Sequence, residues 1–306
     1  MSVYVVGHKS PDTDSVTSAI AYAELKKAMG VDAVPAMQGE LNPEATLVLE
    51  KFGFTAPEVM TDGAGKELIL VDHSDLAQAP DNLDSAELLE IVDHHKVGDI
   101  TTNNPIFFCA QPVGCTATVI KQLFEINKVA IPQNVAGIML AAILSDTVLF
   151  KSPTTTDADK AACEELAKIA GVADMEALAM EMFKAKSAVE GVPMRDLIFR
   201  DYKDFDMKGN KVGCGQLELV DLSLVADMRD DLFNELKNVK SEGRHTVLLM
   251  LTDIMKEGTD LMVVSDDPSL VEKAYNVKIE GQTVWIDGMM SRKKQTIPAL
   301  QKAFGC

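Results

Sequence analysis

The first half of the chain alternates between two hydrophobic periods. Short apolar runs at residues 3–6, 31–35, 68–71 and 88–92 have the length of buried strands. Between them lie longer stretches with apolar residues at helical spacing. Residues 15–29 place Ala19, Ile20, Ala23 and Leu25 on one helical repeat and stop at Gly30. Strands alternating with helices predict a parallel sheet with crossover connections. A helix is expected to start near Thr116 in GCTATVIKQLF, and NVAGIMLAAILSD reads as a strongly apolar helix that delivers Asp146 at its end. Residues 154–185 read as helical throughout, with the acid-rich TTTDAD suited to a helix N-terminus.

The pattern then changes. Strands are predicted at 211–220 and 246–253 around a helix at 223–240, and further strands at 260–265 and 283–286 around a helix at 268–275. The expected fold is therefore α/β: an N-terminal domain with a parallel sheet flanked by helices, then a smaller C-terminal α+β domain with a mixed sheet. The boundaries are set at 1–188 for the first domain, 189–195 for a linker containing Gly191 and Pro193, and 196–306 for the second domain.

Composition narrows the function. A net charge of −18 opposes binding to a nucleic-acid backbone, which depends on Lys and Arg neutralising phosphates. A small, metal-chelated anion is a better partner. The longest apolar stretches, such as 135–144, fall short of the roughly 18–20 residues that cross a bilayer, so no membrane association is expected. MSVYVVGHKSPD has no basic region followed by an apolar core. The five cysteines (Cys109, Cys115, Cys163, Cys214 and Cys306) include no CxxC pair, and free thiols suit a reducing, cytoplasmic location.

Four of the five histidines (His8, His73, His94 and His95) stand beside aspartates where a predicted strand ends, in GHKSPDTD, VDHSD and VDHH. The carboxyl ends of strands are where open α/β sheets bind ligands. Gathering Asp12, Asp14, Asp72, Asp93 and Asp146 near one crevice would be unfavourable. Two unit charges about 4 Å apart repel by about 4 kcal/mol at an effective dielectric of 20. Polyvalent cations remove that difficulty. Imidazole with carboxylate suits Mn, Co, Zn or Fe. Six candidate ligands (His8, Asp12, Asp14, Asp72, His94 and Asp146) exceed what one catalytic ion takes, which favours two. A strand-end Asp taken alone reads more readily as a helix cap, and it is the three such strand ends together that point to a site. Of His94 and His95, one ring can bind metal while the other points at substrate. Near the C-terminus, Ser291-Arg292-Lys293-Lys294-Gln295 is the most concentrated positive patch and suits a phosphate clamp.

These residues resemble the DHH phosphoesterase superfamily, whose name matches Asp93-His94-His95. Within it the chain is similar to the family II, manganese-dependent inorganic pyrophosphatases. GHKSPDTDS, VDH at Asp72, VDHH, PVGCTAT, SDTVLFKSPT and SRKKQ follow in the family's order over essentially the whole length. The resemblance implies hydrolysis of pyrophosphate to two phosphates by a metal-bridged hydroxide, in a two-metal site between two closing domains. It implies two Mn²⁺ per subunit, with Co²⁺ as a substitute and Mg²⁺ arriving with substrate. His8 and Asp12 would hold one ion, Asp14, His94 and Asp146 the other, and Asp72 would bridge them. His95, Arg292, Lys293 and Lys203 would bind phosphates, with His95, Asp14, Arg292 and Lys293 acting in catalysis. A homodimer through the N-terminal domain is also implied. The first half has no room for inserted nucleotide-binding domains, so adenine nucleotide control is not expected.

A short-chain exopolyphosphatase would share the metal motifs, but SRKKQ argues against it. The GGGH run typical of the superfamily's nucleases and nucleotide phosphatases does not occur in this sequence. Neither GxSxG nor GxGxxG occurs, which removes a serine hydrolase elbow and a dinucleotide fingerprint.

Overall fold

The computed structural model describes residues 2–306. They form two compact units, Met1–Ala185 and Lys186–Cys306. The first contains β1 (Val3–Lys9), α1 (Thr13–Ala28), β2 (Ala33–Gln38), α2 (Pro43–Lys51), β3 (Glu58–Val59), β4 (Glu67–Val71), β5 (Glu87–Asp93), β6 (Phe107–Ala110), α3 (Thr116–Ile126), α4 (Gln133–Asp146), α5 (Asp157–Ala170) and α6 (Met175–Lys186). Its six strands run in the order β3-β2-β1-β4-β5-β6 and every neighbouring pair is parallel. The predicted α/β architecture is present.

The order matters for chemistry. β1, β4 and β5 are adjacent, so the three strand ends carrying His8, Asp72 and Asp93 lie side by side although the sequence separates them widely. The sheet is held from both faces by apolar packing. Val5, Val6, Leu68, Leu70 and Val71 are buried in the strands, and α4 is buried along nearly its whole length, from Val135 to Ser145. A helix apolar all round belongs in a core. Gly7 shows how closely the layers approach: a Cβ there would lie 2.0 Å from Ser15 Oγ and 2.6 Å from the Ser15 carbonyl oxygen.

The second unit has α7 (Met194–Phe199), β7 (Tyr202–Met207), β8 (Asn210–Leu219), α8 (Arg229–Ser241), β9 (Thr246–Asp253), β10 (Gly258–Ser265), α9 (Pro268–Tyr275), β11 (Thr283–Asp287) and α10 (Ile297–Phe304). Its sheet order is β11-β10-β9-β8-β7, with β8 and β9 parallel and the other pairs antiparallel. This is the expected mixed sheet. β9 is buried at every position, as a central strand covered on both faces must be.

Several elements depart from the sequence expectation. The helix predicted over 154–185 breaks in two, because Gly171 adopts φ 75° as a left-handed cap and Asp174 opens the next helix by accepting from Ala177 N–H at 2.9 Å. The helix predicted over 223–240 begins as a tight turn at Leu222–Met228 before α8. The strands β3, β6 and β7 and the helices α2 and α7 lie outside the elements that the sequence pattern predicts. β3 is two residues long and β7 carries three acidic or basic residues in six, so neither has the apolar run that marks a buried strand, whereas β6 is a four-residue apolar run at a sheet edge, with both phenylalanines exposed.

Candidate metal and phosphate site

In the first unit the candidate ligands converge. Asp12 lies at the start of α1, where its Oδ1 accepts from Ser15 N–H at 2.9 Å. Its Oδ2 faces His8 Nε2 at 3.5 Å. The helix-cap reading holds through one oxygen, and the other is left facing His8. His8 Nδ1 lies 2.8 Å from the Lys9 carbonyl and His94 Nδ1 lies 3.0 Å from the Val113 carbonyl. A carbonyl oxygen only accepts, so each Nδ1 carries a proton and directs Nε2 at the carboxylates. Metal-binding histidines are oriented in this way.

Asp72 occupies the centre. It is buried, with φ at 64°, a left-handed geometry that Asp tolerates better than most residues. Its Oδ2 is 3.3 Å from His8 Nε2, and its Oδ1 is 3.5 Å from His94 Nε2 and 3.6 Å from His95 Nδ1. His94 Nε2 also lies 3.9 Å from Asp146 Oδ2. Among the described residues, three groups are spaced to hold a cation: His8, Asp12 and Asp72; Asp72, His94 and His95; and Asp14, Cys115 and Asp146.

The electrostatics are those of a site built for positive charge. Burial and the neighbouring Asp14 push the Asp72 carboxyl well above the ordinary range. Burial alone would lower the His8 pKa, but Asp12 and Asp72 outweigh it and hold the ring well above its usual value. The proton on His8 thus stands where a cation would serve the same two carboxylates. Carboxylate oxygens and two oriented imidazoles are a donor set that fits manganese.

Asp14 is buried at the N-terminus of α3. Its Oδ2 accepts from Thr116 N–H at 2.7 Å, and its Oδ1 accepts from Ala117 N–H at 3.2 Å and from Ser18 Oγ at 2.7 Å. The unpaired amides of a helix start favour an anion there. Cys115 is also buried, and burial together with Asp14 raises its thiol well above the usual range, so it stays protonated.

His95 is placed differently from His94. Asp93 Oδ1 accepts from His95 Nδ1 at 2.9 Å and from the His94 and His95 amides at 2.8 and 3.0 Å. Burial would raise the Asp93 carboxyl, but these contacts, led by the His95 ring, hold it down to about 2. The remaining motif histidine, His73, is buried with Nδ1 on the Val71 carbonyl, and burial lowers its pKa to about 3.

In the second unit the SRKKQ segment forms one wide helical turn, Arg292–Thr296, opened by Ser291, whose side chain accepts from Lys294 N–H. Gln295 Oε1 accepts from the Met290 and Ser291 amides at 2.8 and 2.9 Å, which fixes the loop. Arg292 donates to the Asp201 carbonyl and to Asp201 Oδ1, both at 2.6 Å, and to the Cys214 carbonyl at 3.3 Å. Cys214 is the register partner of Lys203, so the structure gathers the candidate phosphate residues Arg292 and Lys203 at one edge of this sheet.

Comparison with known proteins agrees with this geometry. The DHH family N-terminal domain matches residues 2–143 and the DHHA2 domain matches residues 180–303. An Archaeoglobus fulgidus protein assigned to the manganese-dependent inorganic pyrophosphatases is 56% identical over 99% of this chain and 98% of its own length. The manganese-dependent inorganic pyrophosphatase of Methanothrix thermoacetophila is 50% identical over 99% and 98%. This chain belongs to that family. The crystal structure of a candidate family II inorganic pyrophosphatase from Methanococcus jannaschii superposes with a TM-score of 0.87 at 45% identity, covering 99% of this chain and 100% of that one.

As a member of the manganese-dependent pyrophosphatases, the chain also shows residues that the sequence reading passed over. Thr116, inside the PVGCTAT stretch, donates its hydroxyl to Asp72 Oδ1 at 2.9 Å while its amide serves Asp14. Asp159 accepts from Gly114 N–H, Thr118 Oγ1, Thr156 N–H and Thr156 Oγ1 at 2.6 to 2.8 Å, anchoring the loop that presents Thr116. The TTTDAD composition marked a helix start but gave no sign of this second duty.

Proposed function

We propose that the protein hydrolyses inorganic pyrophosphate to two phosphates with two Mn²⁺ ions per subunit. His8 and Asp12 would hold one ion, and Asp14, His94 and Asp146 the other. Asp72 would be shared. The observation that carries this reading is the division of Asp72, whose two oxygens face ring nitrogens from two different strand ends. When bound, such a pair of cations lowers the pKa of a shared water toward neutrality and offsets phosphate charge.

The chain's own groups supply orientation and charge. Asp14, fixed by two α3 amides, would align the attacking water. The ionised Asp93 can only accept, so His95 carries a proton on Nδ1, and with a second proton on Nε2 the ring would donate to a phosphate. Arg292 would offer planar paired donors, with Lys293 and Lys203 adding point charges, the usual electrostatic contribution to phosphoryl transfer. The second unit would close on substrate that arrives with Mg²⁺, and Co²⁺, which accepts the same donors, would substitute for Mn²⁺.

A homodimer through the first unit is part of the proposal. β6 is an edge strand, and Phe107 and Phe108 on it are 45% and 44% exposed. A second copy covering this edge would pair its open backbone groups and bury two aromatic rings. A cytoplasmic location is proposed as well, supported by the five free cysteines. Among the described residues no helix is long and apolar enough to cross a membrane.

The deciding experiment is phosphate release from Mg-pyrophosphate by the purified protein, after chelation and after Mn²⁺ is restored, with tripolyphosphate in parallel. Release that depends on Mn²⁺ and favours pyrophosphate is expected. A preference for tripolyphosphate would move the assignment to an exopolyphosphatase, and release indifferent to chelation would remove the metal mechanism.

A further inference from the structure

We infer that Glu44 is a positioning residue for the cation site, its carboxylate fixing the two segments that carry Asp12, Asp14 and Asp146. Glu44 stands in the first turn of α2, behind the Asn42 cap and Pro43, and is 1% exposed. Its Oε2 accepts from Thr13 Oγ1 at 2.7 Å and from Ser145 Oγ at 2.9 Å. These donors lie 31 and 101 residues away along the chain. Thr13 stands between Asp12 and Asp14, and Ser145 immediately precedes Asp146. A single buried oxygen therefore ties the start of α1 to the end of α4.

Two physical effects follow. The first is geometric: the backbone that presents Asp12 and Asp14 cannot drift from the backbone that presents Asp146 without breaking a buried hydrogen bond. The second is electrostatic. The helix start offsets part of the Glu44 charge, and the remainder adds to the negative field that a divalent cation relieves. Groups behind the direct ligands tune metal affinity in this way.

A purely structural tie among α1, α2 and α4 would make a different prediction. Removing it would lower the stability of the metal-free protein and leave the Mn²⁺ affinity of the folded molecules unchanged. The inference rests on the proposed ligand roles of Asp12, Asp14 and Asp146, so the test includes one of those ligands.

Metal-free full-length protein is titrated with Mn²⁺ while the free ion is followed by its electron paramagnetic resonance signal, for the wild type and for Glu44→Ala, Glu44→Gln, Ser145→Ala and Asp146→Asn. Glu44→Ala is expected to weaken binding roughly 10- to 100-fold, the range seen for residues behind metal ligands. Glu44→Gln, which keeps an acceptor oxygen and loses the charge, should fall between Glu44→Ala and the wild type. Combining Glu44→Ala with Ser145→Ala should weaken binding by less than the product of the two single effects. Ser145→Ala carries the test if the Glu44 variants do not fold. Wild-type affinity in Ser145→Ala and in every folded Glu44 variant, with Asp146→Asn impaired, would overturn the role of Glu44 and leave the ligand reading standing. Wild-type affinity in Asp146→Asn would overturn both.

Discussion

Thr116 donates its hydroxyl to Asp72 Oδ1 at 2.9 Å, from a helix start whose amides already hold Asp14. Thr116→Val keeps the shape and removes that donor. Mn²⁺ affinity is expected to fall by roughly tenfold, the lower end of the range for a group behind a ligand. Thr116→Ser should bind nearly as the wild type. Calorimetric titration of both variants checks the pair, and a loss in Thr116→Ser with none in Thr116→Val would show that the methyl group matters and the hydroxyl does not.

Asp159 accepts four hydrogen bonds while fully buried, two of them holding the Gly114–Thr118 loop. Asp159→Ala leaves several buried donors without acceptors. Each such group costs about 1–3 kcal/mol. The metal-free protein should therefore lose about 3 kcal/mol or more of stability in urea unfolding, and its Mn²⁺ affinity should fall as the Thr116 amide loosens from Asp14.

Gly7 is expected to accept no side chain at all. A Cβ there would sit 2.6 Å from the Ser15 carbonyl oxygen, a backbone atom that cannot swing aside. Gly7→Ala should lower stability by about 1–3 kcal/mol through overpacking. A thermal unfolding midpoint equal to the wild type would contradict so close an approach of β1 and α1.

Asp204 gives a pH signature in the second unit. Burial would raise its carboxyl, but Arg244, Lys211 and Tyr202 hold it below the ordinary carboxylate range. A depressed carboxyl stabilises the fold above its unfolded pKa, and that stability is lost as pH falls through the folded pKa. The wild type should therefore exceed Asp204→Asn in unfolding temperature at neutral pH, and the gap should close as pH drops below about 4. A gap that is independent of pH would assign the stabilisation to packing.

The exposed edge of the first sheet offers a test of assembly. Phe108→Asp on β6 places a charge where a second copy would bury a ring, so sedimentation should shift from dimer to monomer with the fold retained. Unchanged sedimentation would put the subunit contact elsewhere.

Much of this was legible in the sequence, for identifiable reasons. Strand ends punctuated by Asp and His are local signals, so His8, Asp72 and His94 could be named from spacing, and the adjacency of β1, β4 and β5 confirms that their motifs meet. Asp12 carries two readings because a cap and a ligand need the same residue type; one oxygen caps α1 and the other faces His8. Glu44, Thr116 and Asp159 were hidden because their partners lie far along the chain. An acid or a threonine near a helix start looks like ordinary capping until the fold brings its true acceptor or donor alongside. The break at Gly171 was available from the sequence, since glycine favours the left-handed cap, but the apolar spacing on either side of it suggested continuity.

The strand order also bears on when a metal site of this kind can form. Asp14 and the Thr116 amide that steadies it are 102 residues apart, and Asp72 is met by rings from the ends of two neighbouring strands. No short peptide from this chain contains both oxygens' partners, so an ion has no complete nest to enter while the chain is still open. With the proposed ligands, manganese capture is expected to be a late event, following slow non-local strand pairing rather than seeding it. This chain should reach its native topology in the presence of a chelator and take up metal afterwards, the reverse of small zinc domains in which the ion itself organises the fold.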